Sequence, residues 1–218
     1  MKFLTSFLLL HTNYKTYHIH NTYRVDQVSL SAFALLYSEL VQYHQNRVSN
    51  ISELERRLES CGYGIGFKVL ELLAYRSRET KRETRIMSIL QFISTTVWKH
   101  LFGKGADSLE RAIDNVDEYM IFDNNPITST FLSTHQISAD AYISGIVAGI
   151  LEGAGFTARV SAHSVSADDD GEMNTNTNTT NKSSSNITTE LPRKKDKTVF
   201  LVKFSEKVLE RDTALENR

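Results

Sequence analysis

The sequence predicts an α+β fold of two layers, in which helices pack on one face of an antiparallel four-stranded sheet. The first half of the chain has apolar residues three or four apart over long runs, which is typical of helices. The second half has short apolar segments separated by turn residues, which form hairpins and hence antiparallel sheets. Helices segregated to one face then give the order helix-helix-helix-hairpin-helix-hairpin-helix.

The first predicted helix, residues 29–47, has a wider apolar arc than one neighbouring helix can cover. Its apolar side chains are Leu30, Phe33, Ala34, Leu35, Leu36, Tyr37, Leu40 and Val41. Either this helix is buried within its own domain, or part of it faces a partner protein.

The second predicted helix, residues 50–76, has one continuous apolar face formed by Ile51, Leu54, Leu58, Cys61, Ile65, Val69, Leu72 and Leu73. Asn50 followed by Glu53 predicts a capping box at its start. Gly62, Gly64 and Gly66 interrupt the helix, and each costs about 1 kcal/mol against alanine. They therefore predict close backbone contact with a neighbouring helix, or an internal bend.

The third predicted helix has the seam Ile86, Leu90, Ile93, Val97 and Leu101. Residues 103–105 (Gly-Lys-Gly) are a stop signal, and residues 106–115 predict one short helix. Residues 118–123 and 129–134 predict two strands of a hairpin, because Asn-Asn-Pro at 124–126 is turn chemistry.

A fourth helix is predicted over residues 139–153, where glycines recur every four residues at Gly145, Gly149 and Gly153. This smooth groove predicts tight packing on a sheet or on another helix, with Ser138 as the cap. Residues 157–165 and 198–204 predict the second hairpin, and residues 205–216 a terminal helix.

We expect one domain over residues 25–218, with a disordered insertion at 166–197 that is rich in Asn, Thr, Ser and charge. Lengthening a loop from about 4 to about 32 residues costs only about 2 kcal/mol of closure entropy. Residues 1–24 are expected to be a variable, disordered extension. They begin with a lysine and an apolar run, as a signal peptide does, but no small-residue cleavage pattern follows.

Composition and motifs argue against several classes of function. The net charge of −1 gives no field that would draw the chain to nucleic acid or to an acidic membrane. Cys61 is the only cysteine, so no intramolecular disulfide can form. The sequence has no H-E-x-x-H, Cys/His cluster or G-x-S-x-G motif. We therefore expect no enzyme, no catalytic residue, no metal and no cofactor.

Several long segments resemble a known family. They are residues 29–43 (SLSAFALLYSELVQY), 58–73 (LESCGYGIGFKVLELL), 82–109 (RETRIMSILQFISTTVWKHLFGKGADSL), 119–133 (YMIFDNNPITSTFLS), 146–163 (IVAGILEGAGFTARVSAH) and 198–218 (TVFLVKFSEKVLERDTALENR). Together they resemble the small core subunits of TRAPP, the transport protein particle, which is a vesicle tether and Rab exchange factor. The family fold has the predicted arrangement.

The resemblance implies a non-catalytic scaffold subunit in ER-to-Golgi transport. It implies heterodimers with other TRAPP small subunits through helices one and two, and a Rab GTPase engaged through the assembled complex. The expected location is the cytoplasm and the cytoplasmic face of the endoplasmic reticulum and cis-Golgi, with peripheral membrane association only through the complex. A paralogous subunit has an acylated cysteine just after the second helix. Residues 76–83 here have none, so we do not expect lipidation.

The predicted partner-binding residues lie on the first two helices: Leu35, Leu36, Leu40, Tyr43, Ile51 and Leu54. If they are partly outside the core, they form a patch that a monomer should not leave in water. Two alternatives remain open. One is a small apolar-ligand or lipid-binding domain of related fold, with room beside the glycine groove. The other is a secreted factor, which removal of the N-terminus and glycosylation of the sequons would reveal.

Overall fold

The computed structural model describes residues 29–77, 82–113, 115, 117–130, 140–165 and 197–216. The first two helices are α1, Leu30–Gln45, and α2, Ile51–Ser77. The Ser29 side chain accepts a hydrogen bond from the backbone N–H of Ala32 at 3.2 Å, which caps the free donors at the start of α1. Asn50 does the same for α2, accepting from the N–H of Glu53 at 2.7 Å, as its place in the sequence predicts.

The third helix, α3, covers residues 86–102 and changes its winding twice. Ile86–Gln91 is α-helical, Phe92–Val97 is π-helical, and Trp98–Phe102 is α-helical again. It ends at Gly103, whose φ of 76° is left-handed, so the predicted stop signal is confirmed.

The start of α3 is capped from the far end of the chain. The Asp212 carboxylate accepts from the backbone N–H of Ile86 at 3.1 Å and from Nε of Arg85 at 2.9 Å. Asp212 lies on the last helix, α6, Glu206–Glu216. A carboxylate at a helix N-terminus is favourable because the free N–H groups there carry partial positive charge.

The sheet contains β1 (Ser108–Arg111), β2 (Glu118–Asp123), β3 (Ala158–Val165) and β4 (Lys197–Phe204). The strands are antiparallel in the order β1-β2-β4-β3. The predicted class, helices with a four-stranded antiparallel sheet, is therefore confirmed, and so is the second hairpin. Lys197, which was predicted to end the insertion, is instead the first residue of β4.

The first hairpin was predicted incorrectly. Residues 106–115 were expected to form a helix, but Ser108–Arg111 is strand β1 and pairs with β2. Residues 129–134 were expected to form a strand, but Ile127–Thr130 is a single helical turn, α4, and residues 131–134 lie outside the described residues. The hairpin therefore precedes the Asn-Asn-Pro turn rather than spanning it.

The core lies between the inner face of the sheet and the helices. Side chains on this face of the two central strands are buried: Tyr119, Ile121, Phe200, Val202 and Phe204. Trp98 of α3 packs edge-on against Phe200, with ring centroids 5.4 Å apart. The remaining helix, α5, Ala141–Gly153, is buried along nearly its whole length and contacts both β3 and α2.

Helices α2 and α5 cross with their backbones in contact. A Cβ atom added to Gly62 would overlap the carbonyl oxygen of Tyr142 of α5, and one added to Gly66 would overlap that of Ile146. Reciprocally, a Cβ on Gly149 would overlap the carbonyl oxygen of Tyr63. The predicted close backbone contact is confirmed at these glycines, whereas Gly64 faces open space.

Some sequence predictions concern residues that the structure does not describe. The extension at residues 1–24, the cap at Ser138 and the insertion up to residue 196 all lie outside the described residues. The division into an extension and one domain with an insertion therefore stays a prediction. Within the described ranges, none of the helices combines the length and the hydropathy needed to span a bilayer.

Candidate protein–protein interface

Three of the six predicted partner-binding residues are exposed. Leu35 on α1 is 70% exposed, Tyr43 near its end 53%, and Ile51 at the start of α2 46%. Ile51 also lines a cavity of 230 Å³ with Gln45, the last residue of α1, so the end of α1 and the start of α2 are close together. These residues place exposed apolar surface on both of the first two helices.

The other three residues are less accessible. Leu36 and Leu40 are half-buried, and Leu40 packs against the core. Leu54 is only 2% exposed and lies within the chain's own core. Leu54 therefore packs the start of α2 against the core and offers no surface to another protein.

The apolar arc of α1 extends to one side of its buried stripe. The buried stripe of α1 is formed by Phe33, Tyr37 and Val41. Successive residues on an α-helix are about 100° apart around the helix axis. Measured from the centre of the stripe, one side of the helix therefore has Leu40 at about 60°, Leu36 at about 100° and Tyr43 at about 120°. The opposite flank has small or polar residues at Ala34, Ser38 and Gln45. Only one side of the buried stripe is therefore apolar. We call this side, which consists of Leu36, Leu40 and Tyr43, the apolar flank of α1.

Polar groups border this flank at the end of α1. The Arg47 guanidinium lies 3.6 Å above the Tyr43 ring and donates a 2.9 Å hydrogen bond to the Tyr43 carbonyl oxygen. The guanidinium covers one face of the ring. An aromatic residue packed in this way suits an interface, because little side-chain entropy is lost when a partner binds.

A histidine–cysteine contact joins α1 to α2 behind the flank. Nε2 of His44 lies 3.3 Å from Sγ of Cys61. Burial, with the nearby Arg57 and Arg47 charges, lowers the pKa of His44, and burial raises the pKa of the Cys61 thiol. Both groups are therefore neutral near pH 7, which fits packing between helices and gives no activated thiolate.

Sequence reasoning missed a second group of exposed aromatic residues on α2. Tyr63 and Phe67 are each 40% exposed and meet edge to face, with ring centroids 5.2 Å apart. They lie off the apolar seam of α2, so the seam gave no reason to select them. Large aromatic side chains at exposed helix positions outside the seam would have been the signal.

A cavity of 860 Å³ lies between the C-terminal part of α2, the middle of α3 and the end of α5. Its apolar wall includes Leu70, Leu73, Ile89 and Phe92, and its polar residues include Arg76, Arg82 and His100. Cys61 does not line it. No group of three or more His, Cys, Asp or Glu residues that could hold a metal occurs in the described part of the chain.

His100 should make stability depend on pH. It is 3% exposed, and burial, with the Arg76 charge, lowers its pKa from 6.5 to about 4. As the pH falls, His100 is therefore protonated in the unfolded chain before it is protonated in the folded chain. The contribution of His100 to stability is complete above pH 6.5 and is lost as the pH falls towards 4. We expect a loss of about 3 kcal/mol at pH 4 from this residue.

The measurement is urea unfolding of the wild-type chain and of His100→Gln from pH 7.5 to 4.5, with each protein in the same purified complex. The difference in unfolding free energy between the two should be constant above pH 6.5 and change as the pH falls from 6.5 to 4.5. A constant difference would contradict the assignment. The comparison by difference also cancels the carboxylates, including Asp140, whose pKa burial raises.

Comparisons with known proteins match most of the chain. A family model described as "Transport protein particle (TRAPP) component" matches residues 33–205. Trafficking protein particle complex subunit 5 of Dictyostelium discoideum is 41% identical over 190 residues, covering 85% of this chain and 90% of that protein. The Homo sapiens subunit 5 is 36% identical over 196 residues, covering 88% of each. These matches confirm the resemblance that the sequence segments indicated.

A solved structure shares the fold. The crystal structure of a trafficking protein particle complex subunit 3 from Naegleria fowleri, covalently bound to palmitic acid, has a TM-score of 0.58 and 17% identity with this chain. It covers 81% of this chain, and this chain covers 95% of it. The similarity supports the α+β architecture described above.

Proposed function

The chain belongs to the transport protein particle (TRAPP) component family, and from that premise we propose that it is a non-catalytic structural subunit of a TRAPP assembly, with other TRAPP subunits as its partners. Identity of 36–41% with proteins named as subunit 5, over nearly their full length, supports the subunit role. The observation that carries the proposal is the apolar flank of α1, which includes the exposed Tyr43, together with the exposed Leu35 and Ile51.

We place one subunit contact on α1 and the start of α2. Protein interfaces combine an apolar centre with a polar rim, and a few aromatic or aliphatic anchors carry most of the binding energy. Here Leu36 and Leu40 would form the centre, Tyr43 an anchor, and Arg47 part of the rim. Leu54 is left out because it is buried.

Charge placed on this surface should separate the chain from its neighbour. We expect Leu35→Glu with Tyr43→Glu to weaken association at least 30-fold, since loss of an interface anchor costs about 2 kcal/mol or more. Tyr75→Glu is the matched control, because Tyr75 is 75% exposed on a different part of α2. The measurement is co-purification of a tagged chain with a co-expressed TRAPP small subunit, followed by titration of the purified proteins.

Circular dichroism of both variants separates lost binding from lost folding. If the double variant folds and binds as tightly as Tyr75→Glu, the contact does not lie on this surface. If neither the wild-type chain nor the control binds any TRAPP subunit, the subunit role itself is wrong.

The finer parts of the proposal concern the GTPase and the location. Exchange on a Rab GTPase would belong to a surface composed of several subunits, so the isolated chain should not accelerate nucleotide release whereas the assembled complex should. The chain would act in the cytoplasm, at the cytoplasmic face of the endoplasmic reticulum and cis-Golgi, through the complex. Fluorescence of a tagged chain beside markers of both compartments tests the location.

The apolar-ligand alternative has weaker support. The 860 Å³ cavity is large enough for a small molecule, but Arg76, Arg82 and His100 interrupt its apolar wall. The chain's cysteine, Cys61, contacts His44 on the α1 side of α2 and is not part of this wall.

A further inference from the structure

An apolar groove follows the second half of α2, from its exposed aromatic pair to the 860 Å³ cavity. Tyr63 and Phe67, each 40% exposed, form the open end. The side chains of Phe67 and Leu70 both lie beside Gly153 of α5, 3.1 Å from where a Cβ on that residue would be. Leu70 and Gly153 also line the cavity, so the aromatic pair and the cavity form one continuous surface. We call this surface the α2 groove.

The wall opposite α2 includes the π-helical segment of α3. Phe92 and Thr96 line the cavity, and both belong to this segment. Phe92 is half-buried and adds apolar surface, whereas Thr96 is exposed at the opening. π-Helical turns are rare and are frequent at functional sites. The unusual winding of α3 therefore occurs where the helix faces the α2 groove.

Two cations lie at the far end of the α2 groove. The exposed Arg76 and Arg82 both line the cavity. Nη1 of Arg76 lies 3.5 Å from Nε2 of His100, and Nη2 of Arg82 donates a 2.9 Å hydrogen bond to the Ala154 carbonyl oxygen. Neither guanidinium forms an ion pair with a carboxylate of the described residues, although Glu83 lines the same cavity.

Neutral partners orient the two guanidiniums without compensating their charge. His100 is neutral at pH 7, since burial lowers its pKa to about 4. A guanidinium has five N–H donors, so each arginine keeps donors for a further acceptor. Carboxylates fit such donors best, because the charge strengthens the hydrogen bonds and the geometry allows two at once. This end of the α2 groove therefore favours a partner with carboxylates.

The length of the α2 groove favours a helix as the occupant. Tyr63 and Arg76 are 13 positions apart on α2, which is about 20 Å at about 1.5 Å per residue. An amphipathic helix of similar length would place apolar side chains, three and four residues apart, along the groove. A small molecule would fill the cavity alone and leave the aromatic pair in water.

The sequence of this chain does not supply such a helix outside the described residues. Residues 1–25 contain no Asp or Glu, so they offer the two arginines no carboxylate. Residues 166–196 contain carboxylates, but their only large apolar residues are Met173, Ile187 and Leu191. Three apolar residues at these spacings do not form the face of a helix of about 13 residues.

We infer that the α2 groove binds an amphipathic helical segment of another protein, with apolar side chains on Tyr63, Phe67 and Leu70 and carboxylates on Arg76 and Arg82. The contact lies on the second half of α2, away from the apolar flank of α1. It does not depend on the proposed subunit role, and either contact can be present without the other.

Site-specific photo-crosslinking in cells tests the inference on the full chain. The photoreactive amino acid p-benzoylphenylalanine replaces Ala74, which is exposed and lines the cavity, in a tagged chain. The exposed Glu210 on α6 is the control position. Mass spectrometry then identifies the sequence of the captured segment. We expect position 74 alone to capture a segment with apolar residues three and four apart and at least two Asp or Glu residues near one end.

Charge reversal gives the second measurement. Arg76→Glu with Arg82→Glu should reduce capture at position 74 about tenfold or more, because like charges then face each other. Lys68→Glu with Lys99→Glu is the matched control, since both lysines are exposed, neither lines the cavity, and the change in charge is the same. Lysines in place of the carboxylates of the captured segment should restore capture by the Arg76→Glu, Arg82→Glu chain.

Several outcomes would overturn the inference. They are capture of nothing, of a lipid, of residues of this chain, or of a segment that has no carboxylates. Equal loss of capture in the two charge-reversed chains would also overturn it. Circular dichroism of both chains shows whether the fold persists, and restored capture with the lysine-bearing segment cannot come from a chain that fails to fold.

Discussion

Replacing Gly149 with leucine is expected to prevent the chain from reaching a stable folded state. A Cβ at this position would overlap the Tyr63 carbonyl oxygen and lie 3.2 Å from Cα of Gly66. These are backbone atoms of α2, so the crowding can be relieved only if the two helices separate. Overpacking a core costs about 1–3 kcal/mol when side chains can move, and we expect more than 3 kcal/mol here.

A loss of this size is a large part of the stability of an ordinary domain, which is about 5–15 kcal/mol. Leucine is a good helix former, so the loss cannot come from helix propensity. The measurements are the soluble fraction after co-expression with a binding subunit and the midpoint of thermal unfolding.

Gly64→Ala is the matched control on the same helix. Gly64 faces open space, and a Cβ there meets no atom within 4 Å. Alanine should therefore stabilise the chain by about 0.5–1 kcal/mol, because it restricts the unfolded chain and favours the helix. If Gly149→Leu left the unfolding midpoint at the wild-type value, the backbones of α2 and α5 would not be in contact at this position.

Replacing Asp123 with alanine is expected to cost about 2–3 kcal/mol, because it leaves a buried hydrogen-bond donor without its charged acceptor. Asp123 is 1% exposed at the end of β2. Its carboxylate accepts from Nε1 of Trp98 at 2.9 Å, from Nζ of Lys104 at 2.5 Å and from the N–H of Asn125 at 3.0 Å. Alanine leaves the buried indole N–H without its acceptor.

Two variants divide this cost. Asp123→Asn keeps one acceptor oxygen and should lose about half as much stability as alanine. Lys104→Gln should cost less than about 1 kcal/mol, since this side chain is 42% exposed and water can replace its partner. Urea unfolding of the three variants is the measurement. Equal losses for Asp123→Ala and Lys104→Gln would show that the ion pair, and not the Trp98 bond, carries the stability.

Helical periodicity was a reliable guide to the helices, because buried side chains at steps of three and four leave a clear pattern. It predicted the seams of α2 and α3, and the glycine spacing predicted close backbone contact that Gly62, Gly66 and Gly149 make. The pattern did not show the π-helical segment Phe92–Val97. The seam residues Ile93 and Val97 are four positions apart in the sequence whether the segment is α-helical or π-helical, so their spacing does not distinguish the two.

The first hairpin illustrates why local preference fails at a sheet edge. Residues 106–113 contain several good helix formers, so they favour a helix when judged alone. In the structure, Asp107 N–H donates to the Phe122 carbonyl oxygen and Ala112 N–H to that of Glu118, so pairing with β2 determines the conformation. Hydrogen bonds between residues far apart in the chain cannot be predicted from a short window of sequence.

The candidate interface could be predicted only as a region. Periodicity states which residues share a face, but it does not say which of two apolar faces is covered by the same chain. Leu35 and Tyr43 are exposed whereas Leu54 is buried, and the difference depends on where α5 and the rest of the core lie.

The capping of Ile86 by Asp212 has a consequence for how the chain is made. The two residues are 126 positions apart. At about 5–20 residues per second, a ribosome adds Asp212 about 6–25 s after Ile86. During that delay the third helix lacks the Asp212 carboxylate at its first turn, and β4, a central strand of the sheet, is synthesised only near the end of the delay. Folding of the domain can therefore be completed only after Asp212 has been added and has left the ribosome.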